Sequence, residues 1–157
     1  MRLRNFSRQL AVLSAALWVG GTWVIGYLAV PVLFQTLADR QLAGLLAGRM
    51  FTAMTFVGIG CALYLLAFQF QQLGRAAAKH KTFLVAVSML ILLLVGQFVI
   101  QPLMAELKSQ ALPLEVMQSA LASQFRMWHG LASILYLIQS LLGVVLVVRA
   151  VDWVAER

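Results

Sequence analysis

Acidic residues are scarce: the 157-residue chain has five Asp and Glu against twelve Lys and Arg, and none of the five falls inside its long uncharged runs. That absence argues against a proton-coupled pump or small multidrug antiporter, which rests on a carboxylate held within the membrane. Cysteine is rarer still. The lone Cys61 rules out an intramolecular disulfide and reads as a small packing residue. Histidine occurs twice, and only His129 lies in an apolar run, whereas His80 reads as a solvated loop residue. Zinc therefore lacks ligands, and a haem would need its second axial ligand from Met50, Met54 or another subunit. No H-E-x-x-H, P-loop or G-x-S-x-G is present. Ser133 stands one turn from His129 on the same helix with no orienting carboxylate, so the chain reads as non-enzymatic.

What the chain has is hydrophobicity: 62% of its residues are hydrophobic, 11% are charged, and the mean hydropathy is +0.91. Four runs carry no charge, at 9–38, 50–74, 82–105 and 127–148. Each exceeds the roughly 20 residues that an α-helix needs to cross a bilayer core of about 30 Å. The expected fold is all-α, one domain over 1–157, with four transmembrane helices up-down-up-down in a bundle. The expected spans are 10–37, 50–74, 82–105 and 127–149, with an amphipathic segment at 113–126. The basic start and apolar run of the N-terminus resemble a secretory signal, but the run is too long for one and reads as an uncleaved first span.

The net charge of +7 does not point to nucleic acid, because the basic residues sit at span boundaries and form no patch interleaved with aromatics. They read as topology. Arg2, Arg4, Arg8, Arg75, Lys79, Lys81, Arg149 and Arg157 fall on one side, and Arg40, Arg49, Lys108 and Arg126 on the other. Eight against four favours both termini in the cytoplasm.

Along the chain, Ala16, Gly20, Trp23, Tyr27 and Pro31 share one face of span one, with Gly21 and Gly26 beside it, and predict close helix packing. Trp18 and Trp23 lie too deep for an interfacial belt, so their indoles should find partners in the bundle. Pro31 predicts a kink, Asp39 an N-cap for a helix beginning near Arg40, and Pro102 the end of span three. Gly44 and Gly48 form a small-residue pair. Pro113 suits a first helical turn, and Leu114, Met117, Leu121, Phe125 and Trp128 recur at helical spacing.

In span four, His129, Ser133, Tyr136, Ser140 and Gly143 line up as a polar and small stripe expected to face protein. Gln97 and Gln101 share one face of span three and should point inward or toward a wet cavity. Met50 and Met54, one turn apart, present two thioethers suited to a soft metal such as Cu(I), although core filling is the commoner use. Together with Pro31, Phe34, Pro102 and Trp128 these residues gather in the outer third of the bundle. The ligand-binding candidates are His129, Gln97, Gln101, Tyr136 and Ser133, and the metal candidates are His129, Met50 and Met54. His129 reads either as a ligand or as a hydrogen-bonding strut.

Trp18-Val-Gly-Gly21, Pro31-Val-Leu-Phe34, Ala43-Gly44 with Gly48 and Phe51, Pro102, and Phe125 through His129-Gly130 and Ser133 resemble the transmembrane-protein-205-like family. Its bacterial members are catalogued as domain of unknown function 4149. The resemblance implies a four-span bundle without a settled activity, and eukaryotic members are associated with metal-drug tolerance and trafficking. The preferred reading is a membrane module that needs no cofactor and binds lipid, a second copy or another membrane protein. The alternative is binding or transport of a soft metal such as copper, a haem or a small ligand around His129.

Overall fold

The structure is a computed structural model and describes residues 2–112 and 114–155, with side chains from 5–112 and 114–150. Helix α1 (Arg2–Trp23) runs through a π-helical segment (Val24–Ala29) into α2 (Val30–Thr36), and α3 spans Arg40–Leu73. A 3-10 turn (Gly74–Lys79) leads to α4 (Lys81–Val95), a second π segment (Gly96–Ile100) and α5 (Gln101–Ala111). Another 3-10 turn (Val116–Gln118) precedes α6 (Ala122–Ala155). The four stacks Asn5–Thr36, Arg40–Lys79, Lys81–Ala111 and Ala122–Ala150 are long and apolar enough to cross a membrane. This is an all-helical, multi-pass membrane protein.

Helix α1 packs on α3 and α6, and α4 packs on the same two, so the four stacks close a ring. Tyr64 donates to the Ser7 carbonyl at 3.1 Å, while further along α1 Trp18 meets Gly58 and Gly21 meets Met54. Numbers rise on one helix as they fall on the other, so α1 and α3 run antiparallel. One half of the ring is filled by a core in which Trp18, Leu65, Met89 and Leu146 are fully buried among Ala11, Ala15, Ala62 and Ala86. Alanines at these contacts let the helices close up around the larger side chains. The outer surface is apolar, with Leu13, Leu17, Leu63 and Leu141 all more than half exposed, as lipid contact requires.

Asp39 caps α3 by accepting from the Gln41 and Leu42 amides at 2.8 and 3.0 Å, a contribution of about 1 kcal/mol. Helix α3 therefore starts at Arg40, as predicted, and ends at Gly74, whose φ of 56° is the one positive value among the described residues. One of the two prolines within the spans acts differently from expectation. Pro102 does not end span three, which continues to Ala111, whereas Pro31 lies inside span one as expected. Ahead of each, the helix widens: the Val30 amide bonds to the Ile25 carbonyl, and the Gln101 amide to the Gly96 carbonyl. A proline ring would crowd the carbonyl four residues back in a regular α-helix, and the π turn is the local answer to that clash.

Three further expectations change. The segment 113–126 is α-helical only from Ala122; before it Ser119 follows the short 3-10 turn, donating to the Val116 carbonyl and accepting from the Leu121 amide. Pro113 lies outside the described residues. Of the face Ala16, Gly20, Trp23, Tyr27 and Pro31, only Tyr27 reaches a neighbouring helix, through Ser140; the rest is exposed, while α1 packs through Ala11, Ala15, Trp18, Val19 and Thr22. Trp18 is buried, but its Nε1 has no hydrogen-bond partner and lies against Gly58, where no side chain competes for the space.

Candidate functional site

Beyond the core, in the half of the ring that carries the Leu37–Asp39 connection, the four stacks part around a cavity of about 570 Å³. Thr22, Gly26 and Tyr27 contribute from span one, and Phe51, Met54 and Thr55 from α3. Gly96, Gln97, Gln101 and Met104 come from span three, and His129, Ala132, Ser133, Tyr136 and Gln139 from α6. Both π segments lie on its wall, which carries no Asp, Glu, Lys or Arg. The exposed side chains of Tyr27, His129, Ser133 and Leu137 stand at its open side.

The polar lining divides into two chemistries. Hydroxyls other than that of Thr55 are satisfied within the protein: Tyr136 donates to the Thr22 carbonyl, Tyr27 to Ser140 Oγ at 2.9 Å, and Ser140 to the Tyr136 carbonyl at 2.8 Å. Thr22 and Ser133 bond back to the carbonyls of Trp18 and His129 at 2.8 and 2.9 Å. This is the short-range option open to a helical hydroxyl. Longer side chains are left over. Among the described residues, Gln97, Gln101, Gln139 and His129 have no protein hydrogen-bond partner, and Gln139 is only 6% exposed with both amide atoms unpaired. The imidazole instead stacks on Phe125 at 6.0 Å and 12°, and Lys108 Nζ sits 5.6 Å from the centre of the same Phe125 ring.

Aromatic rings form a second continuous wall. Tyr136 stands edge-on to Phe51 at 5.3 Å and to Tyr27 at 6.0 Å. Because its hydroxyl is also bonded to span one, Tyr136 is held from three sides and fixes the distance between α6 and the first π segment.

Of the residues singled out by sequence, Gln97, Gln101, His129, Ser133, Tyr136 and Met54 line this one cavity, while Met50 does not. The stripe on α6 splits: Ser140 is buried, whereas His129 and Ser133 are exposed at the open side and do not face a neighbouring helix. Gly20, Pro31, Phe34, Pro102 and Gly130 are exposed and off the lining. Gly44 and Gly48 lie beneath span three, where an added Cβ would come within 3.8 Å of Lys108 Nζ and 3.3 Å of Gln101 Nε2. For a soft metal the shared donors are His129 and Met54, short of a tetrahedral set. No cluster of three His, Cys, Asp or Glu occurs among the described residues. Sequence reasoning passed over Gln139, although an amide three residues beyond Tyr136 within an apolar run carried the same signal as Gln97.

In comparison with known proteins, the sequence model of a family described as a domain of unknown function (DUF4149) matches residues 13–113. The matched stretch holds Met54, Gln97 and Gln101 and ends before α6. No curated protein and no solved structure matches the chain.

Proposed function

Because this chain belongs to the DUF4149 family, whose description assigns no activity, we propose its role from the cavity: a non-enzymatic membrane module that binds an uncharged, lipid-soluble molecule among its four helices. The observation that carries this is the amide set around a single space: Gln139, buried with both amide atoms unpaired, and the half-buried Gln97 and Gln101. A buried polar group left without a partner costs about 1–3 kcal/mol, and hydrocarbon offers none. One such amide, with two half-buried amides and an exposed imidazole around the same cavity, is balanced by an occupant able to hydrogen-bond. The volume lies within the range of about 300–1,000 Å³ typical of small-molecule sites. A wall without charge favours a neutral occupant, since an ion there would lack a counter-charge in a low dielectric. Access is from the side, because the exposed lining includes Leu137 and Tyr27, well down the helices. We assign both termini to the cytoplasmic side on the asymmetry of the basic residues, and the protein to a bacterial inner membrane on its likeness to the bacterial members of the family.

The test is to fill the space. Ala132 is half-buried on the wall, and Ala132→Phe puts a ring into the cavity without touching the core. Organic extracts of the purified protein, analysed by mass spectrometry, are expected to contain a lipid-soluble molecule near one per chain, lost in folded Ala132→Phe. Identical extracts from both proteins would overturn the reading.

A further inference from the structure

Resting on that reading, we infer that the occupant's head is a quinone and its quinol: a planar ring bearing two opposed oxygens, on a lipid tail. Two features of the wall select this chemistry together. The first is the kind of polar group left free. A carboxamide carries both donors and an acceptor, and a neutral imidazole one of each. Gln97, Gln101 and His129 can therefore donate to the carbonyl oxygens of a quinone or accept from the hydroxyls of a quinol, by turning the same side chains over. Most hydroxyl groups of the wall are already committed, Tyr136 to the Thr22 carbonyl, Tyr27 to Ser140, and Thr22 and Ser133 to their own helices, which leaves Thr55 beside the amides. The second feature is the ring wall. Phe51 and Tyr136 present aromatic surface to the same space, at a mutual centre distance of 5.3 Å. A flat head gains there by stacked or edge contacts that an alkyl alcohol lacks.

Depth and charge fit the same class. His129 and Gln139 are ten residues apart on α6, about 15 Å along its axis, so the cavity has polar groups at both ends with rings between. No charged side chain is on the lining, as a head that is neutral in both oxidation states requires. The assignment concerns binding alone.

The experiment uses the full chain in lipid nanodiscs, with decylubiquinone, decylubiquinol and decylbenzene as probes. Retained probe is measured by extraction and chromatography after washing. Saturable binding of the first two near one per chain is expected, with decylbenzene failing to compete. Gln97→Leu with Gln101→Leu should weaken both oxygenated probes about tenfold, the equivalent of one or two lost hydrogen bonds. If the double variant does not fold, Gln97→Met alone carries the test with a smaller loss. Competition by decylbenzene equal to that of decylubiquinone overturns the quinone assignment and leaves a general apolar site. No saturable binding of any probe, alongside a different lipid that Ala132→Phe excludes, likewise overturns it while the binding role stands. No binding and no difference in extracts removes both.

Discussion

Replacing Trp18 with alanine lowers the unfolding free energy by about 3 kcal/mol, the lower end of the roughly 3–5 kcal/mol range for deleting a buried aromatic. The lower end applies because unfolding in a membrane returns the side chain to an apolar solvent, so little transfer energy is lost. What is lost is contact. Trp18 is fully buried and packs in the centre of the core with Leu65 and Leu146, and the helices cannot collapse into the space without moving α6. The empty volume then strips attraction from every side chain around it. Trp18→Phe should cost less than about 1.5 kcal/mol, because the Nε1 it removes has no partner to lose. Reversible unfolding in mixed micelles with increasing sodium dodecyl sulfate measures both, and equal losses for the two variants would show that the indole's size is not the cause.

Gly26→Ala should destabilise the protein by about 1–3 kcal/mol, a large effect for one methyl group. A Cβ at Gly26 would collide with the Tyr136 ring and lie 2.6 Å from its hydroxyl. Tyr136 cannot yield, since Phe51, Tyr27 and the Thr22 carbonyl hold it on three sides. Gly21 is the control. Its added Cβ would also be crowded, 2.7 Å from Met54 Cε, but a thioether at the end of a flexible chain moves aside, so Gly21→Ala should cost less than about 1 kcal/mol. Trimming the obstacle in Gly26→Ala with Tyr136→Leu should recover part of the loss, and the double-mutant cycle reads the coupling directly. Strict additivity would mean that the two residues do not meet.

Four helices were legible because length and hydropathy are properties of the chain, independent of how its helices meet. The α3 start was legible for a similar reason: an N-cap is local, and Asp39 caps the first turn of the helix it precedes. The gathering of Gln97, Gln101 and His129 was legible because an amide or imidazole in hydrocarbon must seek polar company. Orientation around each helix was not. Hydrophobicity contrasts poorly in a membrane bundle, where core and lipid are both apolar, so the small-residue face of span one gave no sign that it points outward. Ser133 misled in another way, since its hydroxyl bonds to its own helix at the His129 carbonyl and needs no neighbour. Pro102 looked terminal because a regular helix was assumed ahead of it.

Those π turns bear on how the chain tolerates changes in length. A π turn holds one residue more than the α-helix would need over the same rise, with the helix on either side keeping its phase. Losing a single residue elsewhere in a membrane span turns every later side chain by about 100° about the axis, carrying lipid-facing groups into the bundle. Within 24–29 or 96–100 the surplus residue is already there to be given up. These two short stretches are where related chains can differ by one residue and keep the same faces together.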